Sequence, residues 1–337
     1  MTKVLLTGAS GFIAMHVLQQ LLAAGYTVKA TVRSQAKADF ISKTFAAQAE
    51  KIEFSIVPDI AAPNAFDEAV VGVDMVVHTA SPFHFKVTDP VKDLLDPAMK
   101  GTLNILNAIK TYAPQVTRLV LTSSFAAIVN AAEGAWPGHV YTEADWNPVT
   151  WEEATTTTPQ TTYRASKTFA ERSAWDFIER EKPNFTLTTI NPPLVWGPML
   201  HEADLSSLNT SNNMVYNMIS GATPEVPVGG QTSYVDVRNV AAAHVRALTT
   251  PAAVNQRYFV VGGKYTNSQV IGLIGELFPA IKDKLPKCPP GVLPAGLDAE
   301  FGVDGSKATR DMGIEYVPLE KSLTDLVTQL LEWQAKA

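Results

Sequence analysis

Short apolar runs alternate with longer amphipathic stretches through the first half of the chain. Lys3–Thr7 predicts a strand. Gly11–Ala24 predicts a helix, because Phe12, Ile13, Val17, Leu21 and Leu22 fall on one broad face at helical spacing. Gly25 follows as a stop. Tyr26–Arg33 predicts the next strand and Ser34–Ala49 the next helix. Ile52–Val57, Met75–Thr79, Arg118–Ser123 and Phe185–Asn191 predict further strands. Asn64–Val71, Val91–Tyr112 and a long stretch from about Gln160 to Glu181 predict helices between them. The runs Val76-Val77 and Leu119-Val120-Leu121 carry no polar alternation, as strands buried on both faces of a parallel sheet require. This order predicts a Rossmann-type, doubly wound parallel α/β sheet.

The second half is less regular. Val235–Leu248 reads as a strand end feeding a helix, with Asp236 or Asn239 near its cap, and Glu320–Trp333 as an amphipathic helix. Prolines and glycines cluster at Pro192-Pro193, Gly229-Gly230, Pro286–Gly291 and Pro294–Gly296. The expected division is a dinucleotide-binding domain over 1–192 plus about 230–250. A smaller, interleaved C-terminal substrate lobe then takes about 193–229 and 251–337.

At 337 residues the chain has room for two domains or for one α/β domain with a lobe. The single cysteine, Cys288, excludes an intrachain disulfide framework and a multi-cysteine zinc site. The net charge of -6 and the lack of a basic stretch argue against nucleic acid and membrane surfaces as partners. No apolar run reaches the roughly 18 residues of a spanning helix. The N-terminus enters a strand without a secretory pattern, so the expected location is cytoplasmic. The six histidines show no metal-ligand spacing, so no metal is expected.

Thr7-Gly8-Ala9-Ser10-Gly11-Phe12-Ile13-Ala14 joins a strand to a helix. Gly8 allows a tight turn, and Gly11 lets the backbone approach a pyrophosphate at the helix N-terminus. The alternative is a plain turn with capping glycines. At the end of the second strand, a ribose 2′-hydroxyl calls for an acid. Thr31-Val32-Arg33-Ser34 carries none, and Lys37 adds a second cation to Arg33. Two cations suit a 2′-phosphate, hence NADP(H). Asp59-Ile60 follows the third strand, where Asp59 either flanks an adenine or serves as a turn residue.

Tyr163-Arg164-Ala165-Ser166-Lys167 sets Tyr163 and Lys167 on one helical face at i and i+4. A neighbouring ammonium favours the phenolate and lowers a tyrosine pKa. Ser123 and Ser124 end a strand at the carboxyl edge of the sheet, where a hydroxyl can donate to a carbonyl oxygen. Glycine turn, serine and Tyr-x-x-x-Lys in this order point to carbonyl reduction.

These residues resemble the extended short-chain dehydrogenase/reductases. Within them the chain is similar to the dihydroflavonol-reductase-like branch and to fungal NADPH-dependent aldehyde/ketone reductases. The resemblance spans nearly the whole chain. It includes Val57-Pro58-Asp59-Ile60, His78-Thr79-Ala80-Ser81-Pro82-Phe83, Leu121-Thr122-Ser123-Ser124, Trp146-Asn147-Pro148 and Asn191 to Pro198. It implies Ser124, Tyr163 and Lys167 as the catalytic set, with Lys167 also holding the nicotinamide ribose. It further implies that Thr79, Ala80, Ser81, Thr122, Ser123, Pro192, Leu194 and Val195 line the dinucleotide path. Phe125 and Leu194 stand where tyrosines stand in a fungal relative, which bears on substrate range.

Phe83, Phe85, Phe125, Leu194 and Trp196 are the expected walls of an apolar pocket for a small-molecule carbonyl substrate. Ordinary inter-lobe core is the other reading of those side chains. Thr155–Thr158 reads as a flexible polar loop. The expected assembly is a monomer or homodimer. A nucleotide-sugar epimerase or dehydratase and a non-catalytic NADP sensor are the rival functions.

Overall fold

A computed structural model describes residues 2–81, 88–201, 204–227, 232–287 and 297–336. The expected pocket residues Phe83 and Phe85, and Cys288, lie outside the described residues.

In chain order the main elements begin with β1 (Lys3–Thr7), α1 (Phe12–Ala23), β2 (Thr27–Val32), α2 (Gln35–Thr44) and β3 (Ile52–Ile56). Next come β4 (Met75–His78), α3 (Asp96–Tyr112), β5 (Arg118–Thr122) and β6 (Val140–Tyr141). The middle of the chain supplies α4 (Trp151–Thr156), α5 (Pro159–Glu181), β7 (Thr186–Asn191), β8 (Leu194–Trp196) and α6 (Thr210–Ile219). Then follow β9 (Ser233–Asp236), α7 (Val237–Ala247), β10 (Gln256–Phe259), β11 (Gly263–Lys264) and α8 (Asn267–Leu277). β12 (Gly302–Val303), α9 (Ser306–Met312) and α10 (Leu319–Lys336) complete the chain.

Seven strands form one sheet in the order β10-β7-β5-β4-β1-β2-β3. Every pairing in it is parallel. The strand order switches direction between β1 and β4, so a crevice opens above their carboxyl ends. One face buries α1 and α7 against Val4, Leu6, Val28 and Val77. The other buries α3 and α5 against Leu5, Val76, Leu119 and Leu187. Burial on both faces explains the unbroken apolar runs in β4 and β5. This is the expected Rossmann-type, doubly wound fold.

A second core gathers Trp196, Val215, Tyr265, Ile274 and Leu326 from β8, α6, the segment after β11, α8 and α10. A small sheet, β11-β9-β8, runs beside it.

Four expectations are corrected. Gln256–Phe259, assigned to the substrate lobe, is the outermost strand of the large sheet, paired with β7 from Gln256↔Thr188 to Phe259↔Asn191. Its neighbour α9 joins the first core through Ala308 and Met312. Residues 64–71 form a run of turns rather than a helix. Asn64 takes a left-handed conformation (φ 62°), while Phe66 and Val70 still bury their side chains as a helix face would. Thr155–Thr158 is the end of one helix and the cap of the next. The hydroxyls of Thr156 and Thr157 donate to the Glu152 and Glu153 carbonyls at 2.8 and 2.7 Å, and Thr158 caps α5 by accepting from the Thr161 N–H. The second predicted helix stops at Thr44, and a short 3-10 turn, Ala46–Lys51, follows.

Candidate active site

Local chemistry shapes the turn after β1. Gly8 sits at φ +66°, a conformation that costs an L side chain about 1–2 kcal/mol. A Cβ there would also stand 2.9 Å from the Ala80 Cα. The Gly8 N–H donates to the Thr31 hydroxyl at 3.0 Å, and the Gly11 N–H to the Gly8 carbonyl at 3.0 Å. α1 therefore begins with its first N–H groups facing the crevice, where they favour an anion. Ala14 is buried, as the third small position requires.

The turn after β4 is tied to the same place. The Thr79 hydroxyl donates to the Thr7 carbonyl (2.6 Å), and the Ala80 N–H donates to the Thr7 hydroxyl (3.2 Å). Thr7 Oγ1 also lies 2.8 Å from His78 Nδ1. Burial, helped by the charge of Lys167, pushes His78 down to about 3, so its imidazole is neutral and structural. His244 plays a similar part under β5. Its Nδ1–H donates to the Val240 carbonyl at 2.8 Å, which leaves Nε2 to accept from Thr122 Oγ1 at 2.6 Å.

A cavity of about 800 Å³ runs from the glycine turn across the ends of β4, β5 and β7 to the second lobe. Gly8, Gly11, Phe12, Ile13, Thr79 and Ser81 line one end. Thr122, Ser123, Ser124, Pro192, Leu194 and Val195 line the middle. Tyr163 and Lys167 reach it from α5. Arg33 is exposed at the end of β2, Lys37 is half-buried at the start of α2, and Asp59 is exposed and Ile60 half-buried after β3. Those four do not line this cavity. Asp59 accepts from the Ala61 N–H at 2.8 Å, which makes it a turn residue in this structure. Ser10, half-buried, and Ala80 stand in the two turns beside the crevice.

Ser124 and Tyr163 share a hydrogen bond. Burial pushes Tyr163 up to about 12, and the bond from Ser124 opposes this. The direction is opposite to the depression expected from Lys167: burial dominates, and the phenol is protonated at neutral pH. Lys167 donates to Ser81 Oγ at 2.8 Å. Burial brings it down to about 8, so near neutral pH it is charged and within reach of losing its proton.

The residues that hold this set include one that sequence reasoning missed. Glu171 lies one turn beyond Lys167 on α5 and is 1% exposed. Its carboxylate accepts from Ser123 Oγ (2.5 Å), Asn191 Nδ2 (2.7 Å), Thr189 Oγ1 (3.0 Å) and Arg257 Nε (2.6 Å). Arg257 stacks over the Trp146 ring at 3.6 Å and donates to the Asp145 carbonyl at 2.8 Å. Asn191 Nδ2 also donates to the Ser124 carbonyl (3.3 Å), and the Phe125 N–H to the Pro192 carbonyl (2.8 Å). The ends of β5, β7 and β10 are thus locked to α5 through one buried carboxylate. The spacing Tyr163, Lys167, Glu171 was the available signal: a carboxylate on the stripe that faces the sheet.

One expected pocket wall is corrected. Trp196 is 1% exposed and belongs to the second core, where it packs on Tyr265 and its Nε1–H donates to the Ser211 carbonyl at 3.1 Å. Phe125 touches the cavity, but its ring is also 1% exposed, stacked on Phe259 at 4.8 Å and edge-on to Tyr141. Val129, Ala131, Ala135 and Phe301 also line the cavity.

Comparison with known proteins shows the family. The chain is similar to a ketoreductase, azaE, of Aspergillus niger, with 46% identity over 340 residues and 98% of each chain covered. It is 36% identical over 346 residues to the NADPH-dependent methylglyoxal reductase GRE2 of Saccharomyces cerevisiae, covering 99% of each. The crystal structure of yeast methylglyoxal/isovaleraldehyde reductase Gre2 complexed with NADPH superposes with a TM-score of 0.92, at 35% identity and 100% coverage of both chains. Residues 4–262 match the model of the NAD dependent epimerase/dehydratase family. With that match over most of its length, and with glycine turn, serine and Tyr-x-x-x-Lys meeting in one crevice, the chain belongs to the NAD dependent epimerase/dehydratase family.

Proposed function

We propose that this chain is an oxidoreductase that uses NADPH to reduce aldehydes and ketones to alcohols. The observation that carries the reading is the meeting of Ser124, Tyr163 and Lys167 at one cavity whose other end is the glycine turn. The relatives named as NADPH-dependent reductases over the full chain length support it.

The residues present fit the cofactor. Gly8 leaves open the space that a Cβ would fill against Ala80, and the first turn of α1 offers N–H groups to a pyrophosphate. Ser10, Gly11, Phe12 and Ile13 would border the pyrophosphate. Thr79, Ala80, Ser81, Thr122, Ser123, Pro192, Leu194 and Val195 would line the path to the nicotinamide. Arg33 and Lys37 would hold the 2′-phosphate, with Asp59 and Ile60 beside the adenine. NADPH, when bound, supplies the hydride.

The chain's own residues do the rest. Ser124 donates to the carbonyl oxygen and fixes its position. Tyr163, kept protonated by burial, gives its proton to the oxygen as negative charge develops there. Lys167 holds the ribose hydroxyls. The apolar walls exclude water, so these donors act at low dielectric. The division into a nucleotide domain and a substrate lobe remains part of this reading, with β10 moved to the former. Among the described residues no helix is long and apolar enough to cross a membrane. The reading extends to a cytoplasmic enzyme, monomeric or homodimeric.

Two outcomes follow directly. The double change Arg33→Ala, Lys37→Ala should raise the KM for NADPH by about ten- to a hundredfold, since charge-assisted bonds contribute about 1.5–3 kcal/mol, and leave that for NADH nearly unchanged. An equal rise for both cofactors would remove these residues from the phosphate site. Second, kcat/KM for NADPH reports the free enzyme. It should fall as pH rises through about 8, where Lys167 loses its charge, with no matching loss from Tyr163 below about 12. A profile flat from pH 6 to 10, the window of about two units on either side of that value, would contradict the role given to Lys167.

The rival epimerase/dehydratase activity is separated by one assay. Substrate-dependent oxidation of NADPH by simple carbonyl compounds supports the reductase. Conversion of nucleotide sugars without net oxidation of added NADPH would replace it.

A further inference from the structure

The stripe of α5 that carries the catalytic pair carries two more polar side chains. Gln160, Tyr163, Arg164 and Lys167 stand at i, i+3, i+4 and i+7, and all four line the cavity. Arg164 is half-buried. Among the described residues no carboxylate or carbonyl partners its guanidinium, and burial is the one influence acting on it.

This is unusual chemistry for the place. A guanidinium carries five N–H donors in a rigid fork and keeps its charge at any ordinary pH. Partly removing it from water without a partner is costly. The side chains of Val129, Ala131, Ala135 and Phe301, which line the same cavity, carry no group that could pair with it. The other buried arginine near the site, Arg257, is paired with Glu171 and donates to backbone carbonyls. Glu300 lines the same cavity, yet no ion pair joins it to Arg164. Its charge acts instead on buried Tyr265 in the second core.

On the basis of the reductase reading, we infer that Arg164 receives a carboxylate on the carbonyl substrate, so that the preferred substrates are oxo acids rather than neutral aldehydes or ketones. The fork matches a carboxylate by two parallel hydrogen bonds. Arg164 lines the same cavity as Tyr163, so a substrate gripped there has its remaining groups in the space that the proton donor serves. Arg164 is thus a specificity-determining residue, distinct from the proton donor and from the glycine turn that serves the cofactor.

The test compares each acid with its own ester. The full chain is assayed with saturating NADPH on pyruvate, acetoacetate and levulinate, and on the three methyl esters, with a simple neutral aldehyde as reference. The readout is the ratio of kcat/KM for acid to that for ester. The wild-type chain should favour at least one acid. Arg164→Gln should lower that ratio by about ten- to a hundredfold, the range that charged hydrogen bonds span at about 1.4 kcal/mol per tenfold. Arg164→Lys keeps charge without the fork and should fall between, and it serves if the Gln variant folds poorly. High salt should weaken the preference only modestly, because the site is half-buried. An ester preference in the wild type overturns the proposal, as does a ratio unmoved by either variant, while reduction of the reference aldehyde leaves the reductase reading standing. A ratio unmoved alongside weaker NADPH binding would assign Arg164 to the cofactor instead. Failure to reduce the reference aldehyde or any acid would remove both readings together.

Discussion

Tyr163→Phe should lower kcat by about a hundred- to ten-thousandfold, the usual contribution of a general acid, while leaving NADPH binding close to wild type. The change removes one oxygen and keeps the ring, so the cavity retains its shape. The lost oxygen is the one that shares a hydrogen bond with Ser124. Burial holds its proton up to about pH 12, so the wild-type donor is fully loaded at every working pH. In the variant, Ser124 still orients the carbonyl, and the bound geometry still brings the reactants together, which sets the residual rate. The measurement is a single-turnover rate with enzyme and NADPH in excess over a carbonyl substrate. A variant that keeps most of its turnover would show that the proton comes from elsewhere.

The largest expected effect on stability belongs to Glu171. Glu171→Ala should cost about 3–5 kcal/mol, as breaking a buried ion pair from one side typically does. The carboxylate is fully enclosed, and Arg257 would keep its charge in a nearly closed site. Ser123, Thr189 and Asn191 would each lose an acceptor at the same time. Glu171→Met combined with Arg257→Met should cost less than the sum of the single changes, because no uncompensated charge remains. Urea unfolding of the four proteins measures this. Additive effects would mean that the two side chains act independently. Because the network grips the β5 end at Ser123, the single variant should also lose turnover more than cofactor affinity.

Much of this site was legible before any coordinates, and the reason is locality. The glycine turn, the serines at a strand end and the Tyr-x-x-x-Lys face are each set by a few neighbouring residues. Strand order then brings them together, because carboxyl ends of parallel strands share one edge. What was illegible depends on distant pairings. Glu171 and Arg257 are 86 residues apart, and only the β10–β7 pairing makes them neighbours. The same pairing moved Gln256–Phe259 from lobe to sheet. Trp196, expected as a pocket wall, shares its side of the strand with Leu194. Leu194 is half-buried and lines the cavity, while Trp196 is fully enclosed by the second core, a difference in depth that strand periodicity does not show. Burial, the source of the raised Tyr163 value, cannot be read from the ammonium four residues away.

The central claim is that this cavity directs a hydride to a carbonyl carbon. NADPH deuterated at the transferring position, incubated with the chain and a carbonyl substrate, tests that by the isotope content of the alcohol. The account predicts one deuterium on the former carbonyl carbon, formed by the wild-type chain and nearly absent with Tyr163→Phe. NADPH bound by the chain, with no deuterated alcohol from any carbonyl compound offered, would contradict it.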